Sequence, residues 1–61
     1  MLREKNECIA ARAFAALILD YEFPDYLSCR VLIEDLYQTT IHAASRAEAI
    51  DIFNSGKWKE A

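Results

Sequence analysis

The chain has 61 residues, with seven basic and ten acidic side chains and a net charge of −3. This length suits one small domain, 1–61, and the acidic balance argues against a strongly cationic nucleic-acid binder. No apolar run approaches the ~20 residues of a membrane-spanning helix, and no export signal is visible, so we expect a cytoplasmic protein. Two cysteines, Cys8 and Cys29, are too few for a disulfide-rich secreted scaffold, and we expect both to be reduced.

The first third of the chain is rich in alanine. Five alanines between residues 10 and 16 are strong helix formers, and Phe14, Leu17 and Ile18 share one stripe at helical spacing. This pattern predicts a helix over residues 3–20, which ends before Pro24. Its apolar surface is broader than one neighbour needs, which points to a second contact such as another copy of the chain.

The middle of the chain fits two patterns. Residues 27–34 alternate between apolar and polar side chains as a strand does, but they also fit one face of a helix. Residues 37–44 contain a β-branched Thr-Thr-Ile run and predict a strand. Ser45 stands three residues before Glu48, a capping box that predicts a short helix over 46–54 and a tail over 55–61.

These elements predict an α+β fold in the order α–β–β–α, with a two-stranded antiparallel hairpin covered by helices. A three-helix bundle is the alternative if residues 27–34 are helical. The hairpin would turn at Glu34-Asp35 without glycine or asparagine, so Asp35 would have to adopt a left-handed or bulged conformation. Because a lone hairpin is marginally stable, edge pairing between two copies would complete a four-stranded sheet, and we expect a homodimer.

Groups for catalysis are sparse. His42 is the only histidine, and on the strand interpretation it points away from Ile41. The spacing of cysteines and histidine matches no zinc motif, and Cys29 and His42 are predicted on opposite faces. One glycine excludes a glycine-rich phosphate loop. We therefore expect no enzyme, no metal and no cofactor.

One segment combines acids and aromatic rings around a proline. Residues 20–35 carry five acids and one base, a local charge of −4. Aromatic side chains dominate interface energetics, and acidic neighbours favour a basic partner. The alternative is that the rings plug the core while the acids are solvated. The candidate partner-binding residues are Asp20, Tyr21, Glu22, Phe23, Asp25 and Tyr26.

The C-terminal Lys57-Trp58-Lys59 is too short a basic segment to bind nucleic acid strongly, and we expect Trp58 to fold back over the short helix. The strand-to-helix stretch 41–53 is similar to a joint seen in many small α+β proteins, and some small phage-encoded inhibitors of host defence complexes have a similar joint. That likeness covers about a fifth of the chain and implies local geometry alone.

We expect a non-catalytic protein-binding module that acts as an inhibitor, adaptor or regulator by covering a partner with a basic surface. One form would be an inhibitor of a nucleic-acid-handling complex, such as a phage-encoded anti-defence protein. The alternatives are a small DNA-binding regulator and a structural subunit of a larger assembly. Direct binding to nucleic acid or to a membrane is not expected.

Overall fold

Four β-strands precede one α-helix in a computed structural model of the chain, which describes residues 7–60. The strands form one antiparallel sheet in which neighbours in sequence are neighbours in space, in the order β1-β2-β3-β4. No helix among the described residues is both long and apolar enough to cross a bilayer. The elements are β1 (Glu7–Ala11), β2 (Ala15–Phe23), β3 (Tyr26–Ile33), β4 (Leu36–Ala43), α1 (Arg46–Ser55) and a 3₁₀ turn (Lys57–Glu60).

The predicted α–β–β–α order and its alternative, a three-helix bundle, are both wrong. The helix predicted over 3–20 is replaced by β1, a turn and most of β2, and its first residues, 3–6, lie outside the described part of the chain. Helix propensity is a weak preference that tertiary pairing overrides. Here β2 pairs with both β1 and β3, and its alternating Leu17 and Leu19 are buried.

The second half of the chain follows the prediction more closely. The strands predicted over 27–34 and 37–44 are confirmed as β3 and β4, and the helix predicted over 46–54 is confirmed as α1, with ends that differ by one residue. The Ser45 hydroxyl accepts a hydrogen bond from the Glu48 amide at 3.1 Å, and the Glu48 carboxylate accepts one from the Ala44 amide at 3.1 Å. Gly56 ends the helix with a left-handed φ of 75°.

Both long hairpins have two-residue turns. Pro24 and Asp25 join β2 to β3, and Pro24 suits the first turn position because its ring fixes φ. Glu34 and Asp35 join β3 to β4 with φ values of 51° and 68°, as in a type I′ turn. Of the two conformations predicted for Asp35, left-handed or bulged, the structure shows the left-handed one. Glu34 shares that conformation, which costs about 1–2 kcal/mol for such a residue.

Helix α1 covers one face of the sheet, called here the covered face. Its Phe53 is 1% exposed, and Trp58 stacks on Phe53 with ring centroids 6.2 Å apart. The Trp58 indole N–H donates to the Phe53 carbonyl at 3.0 Å, which confirms that Trp58 folds back over the helix. The buried apolar residues are Leu17, Leu19, Leu27, Cys29, Val31, Ile41, Ala43, Ala49 and Phe53.

The opposite face of the sheet, called here the uncovered face, has no helix packed on it in the described chain. The sheet already has four strands within one chain. Edge pairing between two copies is therefore not needed to complete it, and the argument from a marginal hairpin no longer supports a homodimer.

Candidate protein-binding face

A β-bulge at Asp20 decides which face the first aromatic ring occupies. Leu19 pairs with Cys29, but the next pair is Tyr21 with Ser28, so Asp20 is an extra residue in β2. Side chains alternate along a regular strand, which would put Tyr21 on the covered face together with Leu19. The bulge instead turns Tyr21 to the uncovered face.

A second bulge has the same effect in β4. Val31 pairs with Thr39 and Leu32 pairs with Tyr37, so Gln38 is the extra residue. If Gln38 were paired in a regular ladder, a two-residue turn would set His42 opposite the buried Leu27. Because Gln38 is bulged out, His42 lies opposite Ser28 on the uncovered face.

Four rings therefore form a continuous row on the uncovered face, at the end of the sheet near the Pro24 turn. We call Tyr21, Phe23, Tyr26 and His42 the ring row. Successive ring centroids are 6.3, 6.2 and 5.7 Å apart, and the ring planes differ by 9°, 17° and 18°. These values lie within the range of offset-stacked aromatic pairs. Stacking makes the four rings one surface.

The ring row faces solvent. Tyr21, Phe23 and Tyr26 are 62%, 55% and 39% exposed, and His42 is also exposed. Ser28 lies in the same part of this face, between Tyr21 and His42 across the strands, yet it is only 7% exposed. The rings therefore close over Ser28 while their outer surfaces stay open. The alternative interpretation, in which Tyr21 and Phe23 plug the core, is wrong.

A hydrogen bond fixes one end of the ring row. The Tyr26 hydroxyl and His42 Nδ1 are 2.7 Å apart, so both side chains are held in one arrangement. The prediction that His42 lies on the strand face away from Ile41 is confirmed, but nothing in the sequence pattern connects His42 with the aromatic segment. Alternation alone was an insufficient signal, because the Gln38 bulge sets the register that brings His42 beside Tyr26.

The predicted acids do not form one cluster with the rings. Asp20 accepts two hydrogen bonds from Arg30 Nε, at 2.9 and 3.0 Å. Glu22 lies on the covered side of the sheet and binds Arg46 at 2.9 Å. Asp25 is exposed in the turn, and it has no ion pair with any described residue. The predicted site thus divides into three rings on one face and three carboxylates in different surroundings.

Arg46 connects the start of α1 to two strands. Its Nη2 atom lies 3.0 Å from Glu7 and 2.9 Å from Glu22. The hydrogen bond from Arg46 lowers the pKa of Glu22 below its ordinary value of 4.5. The two carboxylates in turn raise the pKa of Arg46. Helix and sheet are thereby joined at the end that holds the ring row.

The two cysteines lie on different faces. Cys29 is buried in the covered face and opposite Ile41, whereas His42 is on the uncovered face, so the two side chains do not meet, as predicted. Burial and, to a lesser degree, Asp20 raise the pKa of the Cys29 thiol. Both cysteines are free. Within residues 7–60, no three histidine, cysteine or acidic side chains are grouped to hold a metal ion.

The opposite end of the sheet has a different character. An open groove of about 590 Å³ lies beside the 3₁₀ turn, between Trp58 and the β1–β2 turn. Arg12 and Lys59 line it together with the exposed Phe14. The Lys59 ammonium lies 5.7 Å from the centre of the Trp58 ring, so this cation is already placed over a ring of its own chain.

No protein-family model matches the chain, and neither a curated protein nor a solved structure is found to be similar to it. What the protein does is therefore inferred from its own side chains. The ring row is the feature with the clearest chemical consequence, because it exposes contiguous aromatic surface that the fold itself leaves unused.

Proposed function

We propose that the protein is a non-catalytic binding module whose ring row docks on another protein. By covering that surface it acts as an inhibitor, adaptor or regulator. The observation that carries the proposal is the stacked, exposed row of Tyr21, Phe23, Tyr26 and His42 on the uncovered face. Contiguous exposed aromatic surface is typical of protein interfaces, where tyrosine is enriched among the residues that contribute most.

The geometry of the row favours binding because its side chains are already ordered. Mutual stacking and the Tyr26–His42 hydrogen bond restrict the rings before any partner arrives. Ordering a free side chain at an interface costs roughly 0.5–1.5 kcal/mol, and preorganised rings avoid part of this cost. The bulges at Asp20 and Gln38 place the rings on one face, and the sheet beneath holds their backbone rigidly.

A nucleic-acid-binding role has less support. Sheets that bind single strands do stack bases on exposed rings, but they combine those rings with a basic groove. The cation on the uncovered face nearest the row is Arg30, and Asp20 already pairs with it. An indirect role, as an inhibitor that covers the surface of a nucleic-acid-handling complex, is compatible with the module. Its free cysteines favour the reducing cytoplasm as its location.

The test compares two tyrosines on the same face. Tyr21 belongs to the ring row, whereas Tyr37 lies opposite Leu32 near the other end of the uncovered face; they are 62% and 59% exposed. A photo-crosslinking amino acid placed at each position in turn is expected to trap a discrete protein from cell lysate at position 21 and none at position 37. Adding excess unlabelled wild-type protein is expected to abolish the crosslink by competition. Excess Tyr21→Ser protein is expected not to compete, so the crosslinked product should remain.

The proposal is rejected if position 21 gives no discrete product, or if Tyr21→Ser competes as well as the wild type. Tyr37→Ser is the matched control and is expected to compete fully, because it changes the same residue type at similar exposure. Circular dichroism spectra of both variants establish that each remains folded.

A further inference from the structure

The end of the sheet that holds the ring row is acidic. Asp25 lies in the turn between Phe23 and Tyr26, and Glu48 lies in the first turn of α1. Five carboxylates and two guanidinium groups among the described residues give this end a net charge of −3. Asp20, Asp25 and Arg30 lie at the uncovered face or its turn, and Glu7, Glu22, Glu48 and Arg46 lie on the side of the helix. At the opposite end, the groove is lined by the basic Arg12 and Lys59 and by the acidic Glu34.

This negative charge favours some binding partners of the ring row over others. Two copies docked ring row against ring row would bring two acidic ends together, and like charges across an interface are costly. The phosphates of a nucleic acid would meet the same repulsion. A positively charged protein surface is instead attracted by the carboxylates and by the ring faces, because aromatic rings attract cations through their π-systems.

Resting on the proposed function, we infer that the surface bound by the ring row is cationic and presents arginine side chains to the rings. A guanidinium is planar, so it stacks on an aromatic face and still donates hydrogen bonds to a carboxylate in the same plane. A lysine ammonium is a strongly hydrated point charge and does not combine both contacts in this way.

The chain's own ion pairs show the carboxylate contact of this chemistry. Arg30 donates to both oxygens of Asp20, and Arg46 spans Glu22 and Glu7 at distances of 2.9 and 3.0 Å. Both guanidinium groups therefore already have carboxylate partners within the fold. Asp25, next to the row and without an ion pair among the described residues, is the acceptor that an incoming arginine would use.

The probes that test the inference are three short peptides with identical spacers, carrying four arginines, four lysines or four glutamates. Binding is followed by nuclear magnetic resonance from the ring protons of the row and from those of Tyr37. The arginine peptide is expected to shift the ring-row signals and to bind at least threefold more tightly than the lysine peptide. The glutamate peptide is expected to leave the spectrum unchanged.

Two variants and their controls locate the contacts. Tyr21→Ser is expected to weaken arginine-peptide binding about tenfold, and Asp25→Asn about threefold with a smaller salt dependence. Tyr37→Ser and Asp51→Asn, which change the same residue types elsewhere, are expected to leave it unchanged. Equal affinity for the arginine and lysine peptides, shifts confined to residues outside the row, or insensitivity to Tyr21→Ser would each overturn the inference.

The outcomes also separate this inference from the proposed function. If wild-type protein competes for the crosslink and Tyr21→Ser does not, but the arginine peptide does not bind, the proposed binding module is supported and the cationic nature of its partner is refuted. If the row binds arginine but position 21 traps no protein, the module itself is refuted. Self-association in sedimentation experiments that disappears in Tyr21→Ser would make a second copy the occupant, and single-stranded DNA that shifts the ring-row signals would make it a nucleic acid.

Discussion

The two faces of this sheet use aromatic residues for different purposes. On the covered face, Phe53 is 1% exposed and packs with Trp58 over the central strands. On the uncovered face, Phe23 is 55% exposed and stacks between Tyr21 and Tyr26. The first arrangement stabilises the fold by excluding water, and the second leaves apolar surface in water. An apolar residue count therefore says little about how much core a small domain has.

Matched substitutions of the two phenylalanines give the largest expected contrast. Phe53→Ala is expected to lower the free energy of unfolding by about 3–5 kcal/mol, which is comparable to the whole stability of so small a domain. Phe23→Ala is expected to cost only about 1 kcal/mol, since it removes two stacked contacts and little buried area. Urea unfolding followed by circular dichroism measures both.

Because the loss expected for Phe53→Ala approaches the whole stability of the domain, Phe53→Leu serves as the milder test and is expected to retain a cooperative transition. Equal losses for substitutions at positions 53 and 23 would contradict the division of the sheet into a covered and an uncovered face.

The reactivity of the two thiols also distinguishes the buried core from the exposed surface. Cys8 is exposed, whereas Cys29 is 0% exposed and its pKa is raised by burial. A thiol reagent at neutral pH is expected to modify Cys8 at least about a hundredfold faster, because Cys29 reacts only when the domain opens at a cost of about 3 kcal/mol. The Cys8→Ser variant should show the slow phase alone, and denaturant should make both rates equal. Two fast thiols in the native protein would place Cys29 outside the core.

The β3–β4 turn offers a stability change that leaves both faces intact. Glu34 and Asp35 have φ values of 51° and 68° without being glycine or asparagine. Replacing them with Asn-Gly, the preferred type I′ pair, is expected to raise the free energy of unfolding by about 1 kcal/mol. Thermal unfolding measures the gain. Gly-Gly is a useful comparison, and a loss of stability in Asn-Gly would show that the Glu34 side chain matters more than its backbone strain.

The smallest expected effect concerns pH at the junction of helix and sheet. Arg46 lowers the pKa of Glu22 below 4.5, so the folded state favours the ionised carboxylate more than the unfolded state does. This contribution to stability is present above pH 4.5 and is lost as the pH falls through the lowered pKa. The melting temperature of wild type should exceed that of Glu22→Gln at neutral pH, and the difference should disappear in acid.

Asp51→Asn is the control for that measurement, since Asp51 has no ion pair with any described residue. A difference between wild type and Glu22→Gln that persisted unchanged at pH 2 would contradict the role of Arg46.

The sequence was most informative where local chemistry determines structure. The Ser45 cap, the Gly56 stop and the alternation in residues 37–44 identified α1 and β4 correctly. The helix predicted over 3–20 was wrong, because the helix propensity of alanine is a local property whereas the pairing of β2 with β1 and β3 is not. The rings at 21, 23 and 26 were found from composition, but their common face depends on bulges, which single-residue patterns do not reveal.

The bulge at Asp20 has a consequence for chain length. Removing that one residue would set Tyr21 directly after Leu19 in a regular strand, so the deletion would take away the bulge and leave Tyr21 and Phe23 on the face they already occupy. Straightening the strand with Asp20 retained would instead exchange the two faces for every side chain as far as the Pro24 turn, which would direct Tyr21 and Phe23 at the helix. A deletion at this position is therefore a change of length that the surface can absorb, and homologous positions in this segment are best matched by the side of the sheet they occupy.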